Sequence, residues 1–227
     1  MKNILARGGI EFLAVLLGIS GSLWIDDFST NNKDLQEEKA AYSRLSNAMG
    51  QDIINIQKEL ITNDKMVKKI NHIITKIENI NIDSLSNYID QTQAYVTIKP
   101  QFSDYEALKS TGRLYKISDF NLLQKIIDLY DNKYAEIERL IVEDKRAIFM
   151  QDEFFIQNYA MKPAKEWTTL KNMNSDYNRI KSDKVYMNHL VFMYKVKMQI
   201  DERWTKLIDQ IKKVKKEIDF KLEININ

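Results

Sequence analysis

The stretch AYSRLSNAMGQDIINIQKELITNDKMVKKINHIITKIEN, residues 41–79, decides the fold class. It contains one glycine and no proline, and its apolar side chains recur every three or four residues. This spacing places them on one face of an α-helix. The apolar stripe consists of Tyr42, Leu45, Met49, Ile53, Ile56, Leu60, Val67, Ile70, Ile74 and Ile77. We predict one long helix that begins near Ser29 or Thr30 and ends near Asn79.

Two later stretches carry the same pattern. Ser118 is the predicted N-cap of a helix that reaches about Tyr159, and a further helix is predicted from about Ser182 through Ile218. Their stripes consist of Phe120, Leu123, Ile127, Tyr130, Tyr134, Ile137 and Ile141, and of Leu190, Tyr194, Met198, Trp204, Leu207, Ile211, Val214 and Ile218. Each helix would be roughly 60–70 Å long, so the three can pack along their whole length. The sequence predicts an all-α protein built as an elongated antiparallel bundle of three long helices.

The stretch IEFLAVLLGISGSLWI, residues 10–25, is the most apolar part of the chain. Lys2 and Arg7 precede it, and Asp26 and Asp27 follow it. Its 16 residues would span roughly 24 Å as a helix, somewhat less than the ~30 Å hydrocarbon core of a bilayer. The charge bias predicts a membrane helix whose N-terminal end is cytoplasmic.

These features predict the domain organisation of a single-pass inner-membrane protein. Residues 1–9 would be cytoplasmic, residues 10–28 would form a transmembrane helix that continues into the first bundle helix, and residues 29–227 would form a periplasmic bundle domain. A secretory signal peptide, cleaved near Ser20 and Ser22, is the alternative. Residues 80–117 contain a proline and a glycine, and we predict short helical pieces near 84–90 and 103–112 that cap the membrane-distal end.

Small residues on the predicted span form a candidate contact with another membrane helix. Ala14, Gly18 and Ser22 recur every four residues, and Gly21 lies beside them. Such a face allows two helices to approach closely. The alternative is the ordinary glycine content of membrane helices.

A carboxylate, Glu11, lies inside the predicted span. It follows Arg7 by four residues, so the two side chains could pair at the cytoplasmic boundary. A partner-binding or ion-conducting role for Glu11 is the alternative, because charged groups inside membranes usually have a function. Arg7, Trp24 and Phe28 are predicted to lie at the membrane interfaces.

Two groups of residues carry a resemblance to a known family. They are Glu11, Phe12, Gly18, Ile19 and residues 23–28 in the N-terminal part, and residues 105–112, Leu114, Ile117, Leu122, Leu123, Ile127 and Tyr130 in the interior. In order and spacing they resemble an uncharacterised family of small single-span membrane proteins from Bacteroidota. The chain has Asp-Asp-Phe where relatives often have Asn-Asn-Trp. The resemblance implies an inner-membrane protein with a helical periplasmic domain, and it implies no activity.

Motifs for catalysis are missing from the sequence. There is no cysteine, and the two histidines, His72 and His189, lie on different predicted helices, which excludes an HExxH or paired Glu-x-x-His metal site. No glycine-rich phosphate loop or hydrolase elbow is present. The net charge of +2 gives no basic surface typical of nucleic-acid binding. We predict a protein that is not an enzyme, with no catalytic, cofactor-binding or metal-binding residues and no nucleic-acid partner.

Three functional hypotheses remain open. The favoured one is a membrane-anchored helical scaffold or accessory subunit that mediates protein–protein interaction in the cell envelope. The second is a periplasmic ligand-sensing bundle, which needs a ligand-sized cavity between helices. The third is a self-assembling membrane effector or channel that uses Glu11 and the small-residue face. The expected partners are membrane lipid and either another envelope membrane protein or a second copy of the chain.

Overall fold

The computed structural model describes the backbone of residues 2–98, 100–159 and 177–224. Side chains are described within these ranges from residue 15 onward, except at residues 27, 82, 177 and 178. The described residues form helices and no strand, which confirms the all-α prediction. The helices are α1 (Lys2–Lys76), α2 (Ile82–Thr92), α3 (Phe102–Ser110), α4 (Phe120–Ile127), α5 (Tyr134–Asn158), α6 (Tyr177–Ser182) and α7 (Lys184–Ile224).

Helical turns of other pitch join several of these elements. A 3₁₀ turn over Ile77–Asn79 follows α1, and another over Arg113–Lys116 follows α3. A π-helical turn over Asp128–Lys133 joins α4 to α5 without a break. The predicted helix from residue 118 to about 159 is therefore confirmed in extent, and a wider turn interrupts its α-helical pitch.

The predicted cap of that helix lies one residue too early. Asp119 is the N-cap of α4, and its side chain accepts a hydrogen bond from the backbone N–H of Leu122 at 3.0 Å. Ser118 instead donates its backbone N–H and its hydroxyl to Glu38 of α1, at 2.7 and 2.9 Å. A contact distant in sequence thus determines which of two adjacent polar residues caps the helix.

Contacts between distant residues give the directions of the long helices. Ser46 donates to Asp219 at 2.5 Å, and Asn63 donates to the carbonyl of Lys197 at 2.8 Å, so α1 and α7 are antiparallel. Lys197 also pairs with Asp144 of α5 at 2.8 Å. The pairing of residue 125 with 217 shows that α4 and α5 are likewise antiparallel to α7. It follows that α1 and α5 run in the same direction.

The parallel direction of α1 and α5 results from residues 77–117, which we call the return segment. Its contacts with α1 move backward along that helix: Gln101 bonds to Asp52, and Lys116 pairs with Asp34 at 3.0 Å. The return segment therefore runs the length of the bundle as a fourth leg. The prediction that this segment caps one end of the bundle is not confirmed, and neither is the antiparallel arrangement of three helices. The sequence prediction had the next long helix run back along α1, whereas here the return segment does so.

The buried apolar residues form two clusters, one at each end of the bundle. The first is built from residues within 41–56, 96–117, 122–137 and 196–218. The second is built from residues within 70–80, 85–89, 147–159 and 180–193. All four legs contribute to both clusters, so the bundle is held together mainly by burial of these side chains.

The N-terminal part of α1 extends beyond the bundle. Among the described side chains, Asp34 makes the outermost ion pair from α1 to the rest of the bundle, and the large apolar side chains within residues 15–28 are all exposed. In the part of the chain that the structure describes, no helix is long and apolar enough to cross a membrane.

This finding overturns two sequence predictions. The prediction of a membrane protein with a single transmembrane helix over 10–28 is wrong, and so is its localisation in the inner membrane with a periplasmic C-terminal domain. The chain contains an apolar helical extension in that place.

Candidate functional site

A buried polar layer crosses the bundle between the two apolar clusters, and every leg contributes to it. We use the name polar layer for Asn63 of α1, Asp144 of α5, Lys197 of α7 and the backbone of residues 94–96 in the return segment. The three side chains have no exposed surface. Buried charged groups require partners, so the geometry of this layer determines whether it is tolerated.

Lys197 and Asp144 together make the hydrogen bonds of the polar layer. The Nζ of Lys197 donates to Asp144 Oδ2 at 2.8 Å and to the carbonyl of Ala94 at 2.9 Å. The same carboxylate oxygen accepts the backbone N–H of Val96 at 2.9 Å. Burial lowers the pKa of the Lys197 ammonium, and the nearby Asp144 charge opposes that shift. The ion pair therefore binds both a donor and an acceptor of the return segment's backbone.

A second buried carboxylate holds the same segment closer to α3. Asp52 of α1 accepts the backbone N–H of Gln101 at 3.0 Å and the hydroxyl of Tyr134 at 2.5 Å. Burial raises the pKa of Asp52, and these two hydrogen bonds oppose the shift. We use the name strap for residues 93–98 and 100–101, the described non-helical residues that Asp52, Asp144 and Lys197 hold in place.

An aromatic cluster lies beside the strap. The rings of Tyr105 and Tyr130 stack with centroids 4.4 Å apart, and Phe102 lies edge-on to Tyr134 at 5.4 Å. Tyr105 also donates its hydroxyl to Asp131 at 3.0 Å. Burial first, and then the Asp131 carboxylate, raises the pKa of Tyr105 to about 12. This cluster packs α3 onto the π-helical turn.

The residues that carry the internal family resemblance have packing roles here. The side chains of Tyr105, Leu108 and Leu114 are buried, and all three belong to the first apolar cluster. Lys109 pairs with Asp131 at 2.7 Å, and Gly112 adopts a φ of +73° that ends the α3 turn. The pattern thus fixes the return segment on the bundle.

The polar layer has little capacity for chemistry on a substrate. A lysine with a lowered pKa beside a carboxylate is an arrangement that active sites use, but both side chains here are completely enclosed. Within the described ranges, no group of three or more histidine, aspartate or glutamate side chains could hold a metal ion. What the arrangement does is position the strap.

An open groove lies between the π-helical turn and α7. Its volume is about 290 Å³, and its apolar floor includes Leu129. Ligand sites of this size need free polar groups that orient the ligand. Here Lys125 is paired with Glu217 at 2.7 Å, and Lys133 lies 4.0 Å from Asp128. The side chains of Gln210 and Lys213 also line the groove. The ligand-sensing hypothesis stays a prediction.

The predicted small-residue face is exposed on α1. A Cβ atom added at Gly18 or Gly21 would meet no atom within 4 Å, and Ser22 donates its hydroxyl to the carbonyl of Ile19 at 2.9 Å. No other part of the described chain packs against this face. The side chain of the fourth predicted member, Ala14, lies outside the described residues.

The other predicted site residues fall into two groups. Trp24 and Phe28 are 71% and 61% exposed, and their rings stack with centroids 6.1 Å apart. The side chains of Arg7 and Glu11 lie outside the described residues, so their predicted pairing stays a prediction. Nothing in the described structure gathers the predicted residues into one site.

The exposed face of α1 continues a buried one. Within the bundle, alternating steps of three and four residues lead through the buried positions Glu38, Tyr42, Leu45, Met49, Asp52 and Ile56. The same steps lead outward through the poorly covered positions Leu35, Asn31, Phe28, Trp24, Gly21 and Leu17. The helix face that the bundle buries therefore extends about five further turns with no covering element in the described chain.

Sequence reasoning missed the polar layer and Asp52. A signal was present, because Asp52 and Lys197 occupy stripe positions between apolar neighbours, as in Met49, Asp52 and Ile56. A charged residue at such a position either faces a buried partner or marks the edge of the core. Only the fold identifies the partner.

Comparison of the chain with protein-family models, curated proteins and solved structures gives no match. The resemblance to the Bacteroidota family therefore stays a prediction.

Proposed function

We propose that this protein acts by binding other proteins, as a helical scaffold or accessory subunit without catalytic activity. One observation carries the proposal: nine large apolar side chains between residues 15 and 35 of α1 are 41–71% exposed. They are Val15, Leu16, Leu17, Ile19, Leu23, Trp24, Ile25, Phe28 and Leu35. The bundle supports this extension because α1 is continuous from Lys2 to Lys76.

The size of this exposed surface favours a macromolecular partner. The nine side chains together expose apolar area on the order of 900 Å², comparable to what one partner contributes to a standard protein interface. Contiguous apolar patches of that size are rare on monomers and mark interaction sites. The stacked Trp24 and Phe28 are the residue types that dominate binding energy in such interfaces.

The distribution of these residues indicates the kind of partner. Apolar side chains at 15, 16, 17 and 19 point to different sides of the helix, and helices that are apolar all round are normally enclosed by other elements. A partner that surrounds this part of α1 with apolar helices would bury these side chains. A second copy of the chain meets the same description, so self-assembly is the alternative form of the proposal.

The proposal is tested by the mass and composition of the intact particle. The full chain with a C-terminal tag is purified gently from its native cells, the particle mass is measured, and its components are identified. A second protein at fixed ratio supports an accessory subunit, and a homo-oligomer supports self-assembly. A single chain that stays monomeric and dispersed would contradict the proposal.

A matched pair of variants locates the interface. Trp24→Glu combined with Phe28→Glu places charges on the extension and should dissociate the particle, because burying a charge without a partner is costly. Val142→Glu is the control, since Val142 is 65% exposed on α5. Equal loss of the complex in both variants would show that the extension is not the binding surface.

A further inference from the structure

We propose that the strap, residues 93–98 and 100–101, opens from the bundle while α1, α5 and α7 stay packed, so that it acts as a hinged cover over the face that holds Asp52 and Asp144. It joins α2 to α3, and each of these helices makes its own contacts with the bundle. On the α3 side, Tyr105 and Leu108 are buried in the first apolar cluster. On the α2 side, Lys69 bonds to Gln91, and the His72 and Tyr88 rings lie 5.2 Å apart.

The backbone of the strap depends on side chains of the long helices. Among the described residues, 94–98 form no backbone–backbone hydrogen bond. The N–H of Val96 is bound by Asp144, the carbonyl of Ala94 by Lys197, and the N–H of Gln101 by Asp52. Release of the strap therefore breaks a small number of specific contacts and leaves every helix with its own hydrogen bonds.

Few apolar contacts oppose the opening. Val96 and Ile98 are buried, whereas the side chains of Ala94, Tyr95 and Thr97 are exposed. Tyr95 adds a cation–π contact, in which its ring centroid lies 5.6 Å from Lys145 Nζ. By comparison, the long helices bury apolar residues in both clusters over most of their length. Local opening free energies follow such differences in buried contacts, so the strap should open before the helices do.

Opening also relieves charges that burial disfavours. Asp52, Asp144 and Lys197 have no exposed surface while the strap is closed. When the strap leaves, water reaches these groups, and their hydration offsets part of the lost hydrogen bonding. The same movement exposes the apolar surfaces against which Val96 and Ile98 pack. The free-energy difference between the closed and open states of the strap is therefore smaller than the difference between the folded and unfolded states of the bundle.

Amide hydrogen exchange on the full-length protein tests the proposal. We expect the amides of Val96 and Gln101 to exchange faster than those of Leu45 in α1 and Trp204 in α7. Their exchange should also be nearly independent of low urea concentrations, because local opening exposes little surface, whereas core exchange should depend on urea. Exchange of the strap and the helices at one common rate, with one urea dependence, would overturn the proposal.

A variant and its control separate the anchor from general stability. Asp144→Asn weakens the bonds to Val96 and Lys197, and exchange of the strap amides should accelerate at least about tenfold, the factor expected for a charge-assisted hydrogen bond. Core amides of α1 and α7 should accelerate only as far as the variant's loss of global unfolding free energy requires, and exchange of the strap should stay nearly independent of low urea concentrations. Glu217→Gln, which breaks an exposed ion pair with Lys125, should leave the strap unchanged. Exchange of the strap and of the α1 core at one common rate, with one urea dependence, in Asp144→Asn would refute a separate strap, and the wild-type measurement decides if that variant does not fold.

Discussion

Lys197 occupies a position where the pattern of α7 calls for an apolar side chain. It lies between the buried residues Met193 and Ile200 on α7, and the charge of its ammonium is balanced by the carboxylate of Asp144. A buried ion pair adds little net stability compared with apolar residues, but removal of one partner leaves the other charge unpaired. The value of this pair therefore lies in where it places the strap backbone.

Replacement of that lysine should be severe. We expect Lys197→Met to lower the free energy of unfolding by about 3–5 kcal/mol, because Asp144 keeps a buried charge and the Ala94 carbonyl loses its donor. Urea denaturation followed by circular dichroism measures the change. Lys195→Met is the control, since Lys195 is exposed on the same helix, and it should change stability by less than about 0.5 kcal/mol. Equal effects of the two variants would disprove the role of the pair.

At the scale of elements, some helix ends are set by neighbouring residues and others by contacts that are distant in sequence. Gly112 ends the turn after α3 with a φ of +73°, a conformation that a side chain disfavours. The sequence alone indicated this end. The predicted cap of α4 at Ser118 was wrong by one residue, because Ser118 bonds to Glu38 and Asp119 caps the helix.

Replacement of glycine by alanine should have opposite effects on stability at two positions. Gly112→Ala should destabilise the protein by about 1–2 kcal/mol through its positive φ alone, since a Cβ there meets no atom within 4 Å. Gly50→Ala lies inside α1, where the new Cβ would be 3.6 Å from Lys215 Cε, an ordinary contact. It should stabilise the helix by about 0.5–1 kcal/mol. Thermal unfolding of both variants checks this, and a stabilising Gly112→Ala would contradict the described turn.

At the scale of the whole molecule, buried phenols make stability depend on alkaline pH. Burial is the largest cause that raises the pKa of Tyr42, Tyr105, Tyr130, Tyr134 and Tyr186 above the ordinary 10.0. Tyr105 reaches about 12. A raised folded-state pKa gives a stabilisation that is complete below pH 10 and is lost as the pH rises toward the folded-state value.

The free energy of unfolding should therefore fall steadily between pH 10 and 12. Lys197 acts in the opposite direction, because its pKa is lowered in the fold, but it is one group against five. Urea midpoints measured through this range, with tyrosinate absorbance recorded in parallel, test the expectation. If all tyrosines ionise near pH 10 without unfolding, the phenols are not buried as described.

The sequence by itself determined the helical class, the end of the first long helix near residue 79, the approximate extents of the two later long helices and the helical pieces around residues 84–90 and 103–112. These features depend on residues three or four positions apart, and that information is contained in the local chain. The apolar stretch near the N-terminus was visible too, but its interpretation as a membrane helix was wrong.

Only the tertiary structure decided the course of the return segment and the location of the polar layer. The partners of Asp52 and Lys197 lie 49 and 103 residues away, at Gln101 and Ala94, and no periodicity encodes such pairings. Contacts between distant residues also decide the direction of the return segment. The strap can run along the bundle because buried carboxylates replace the backbone hydrogen bonds that a non-helical stretch cannot make for itself.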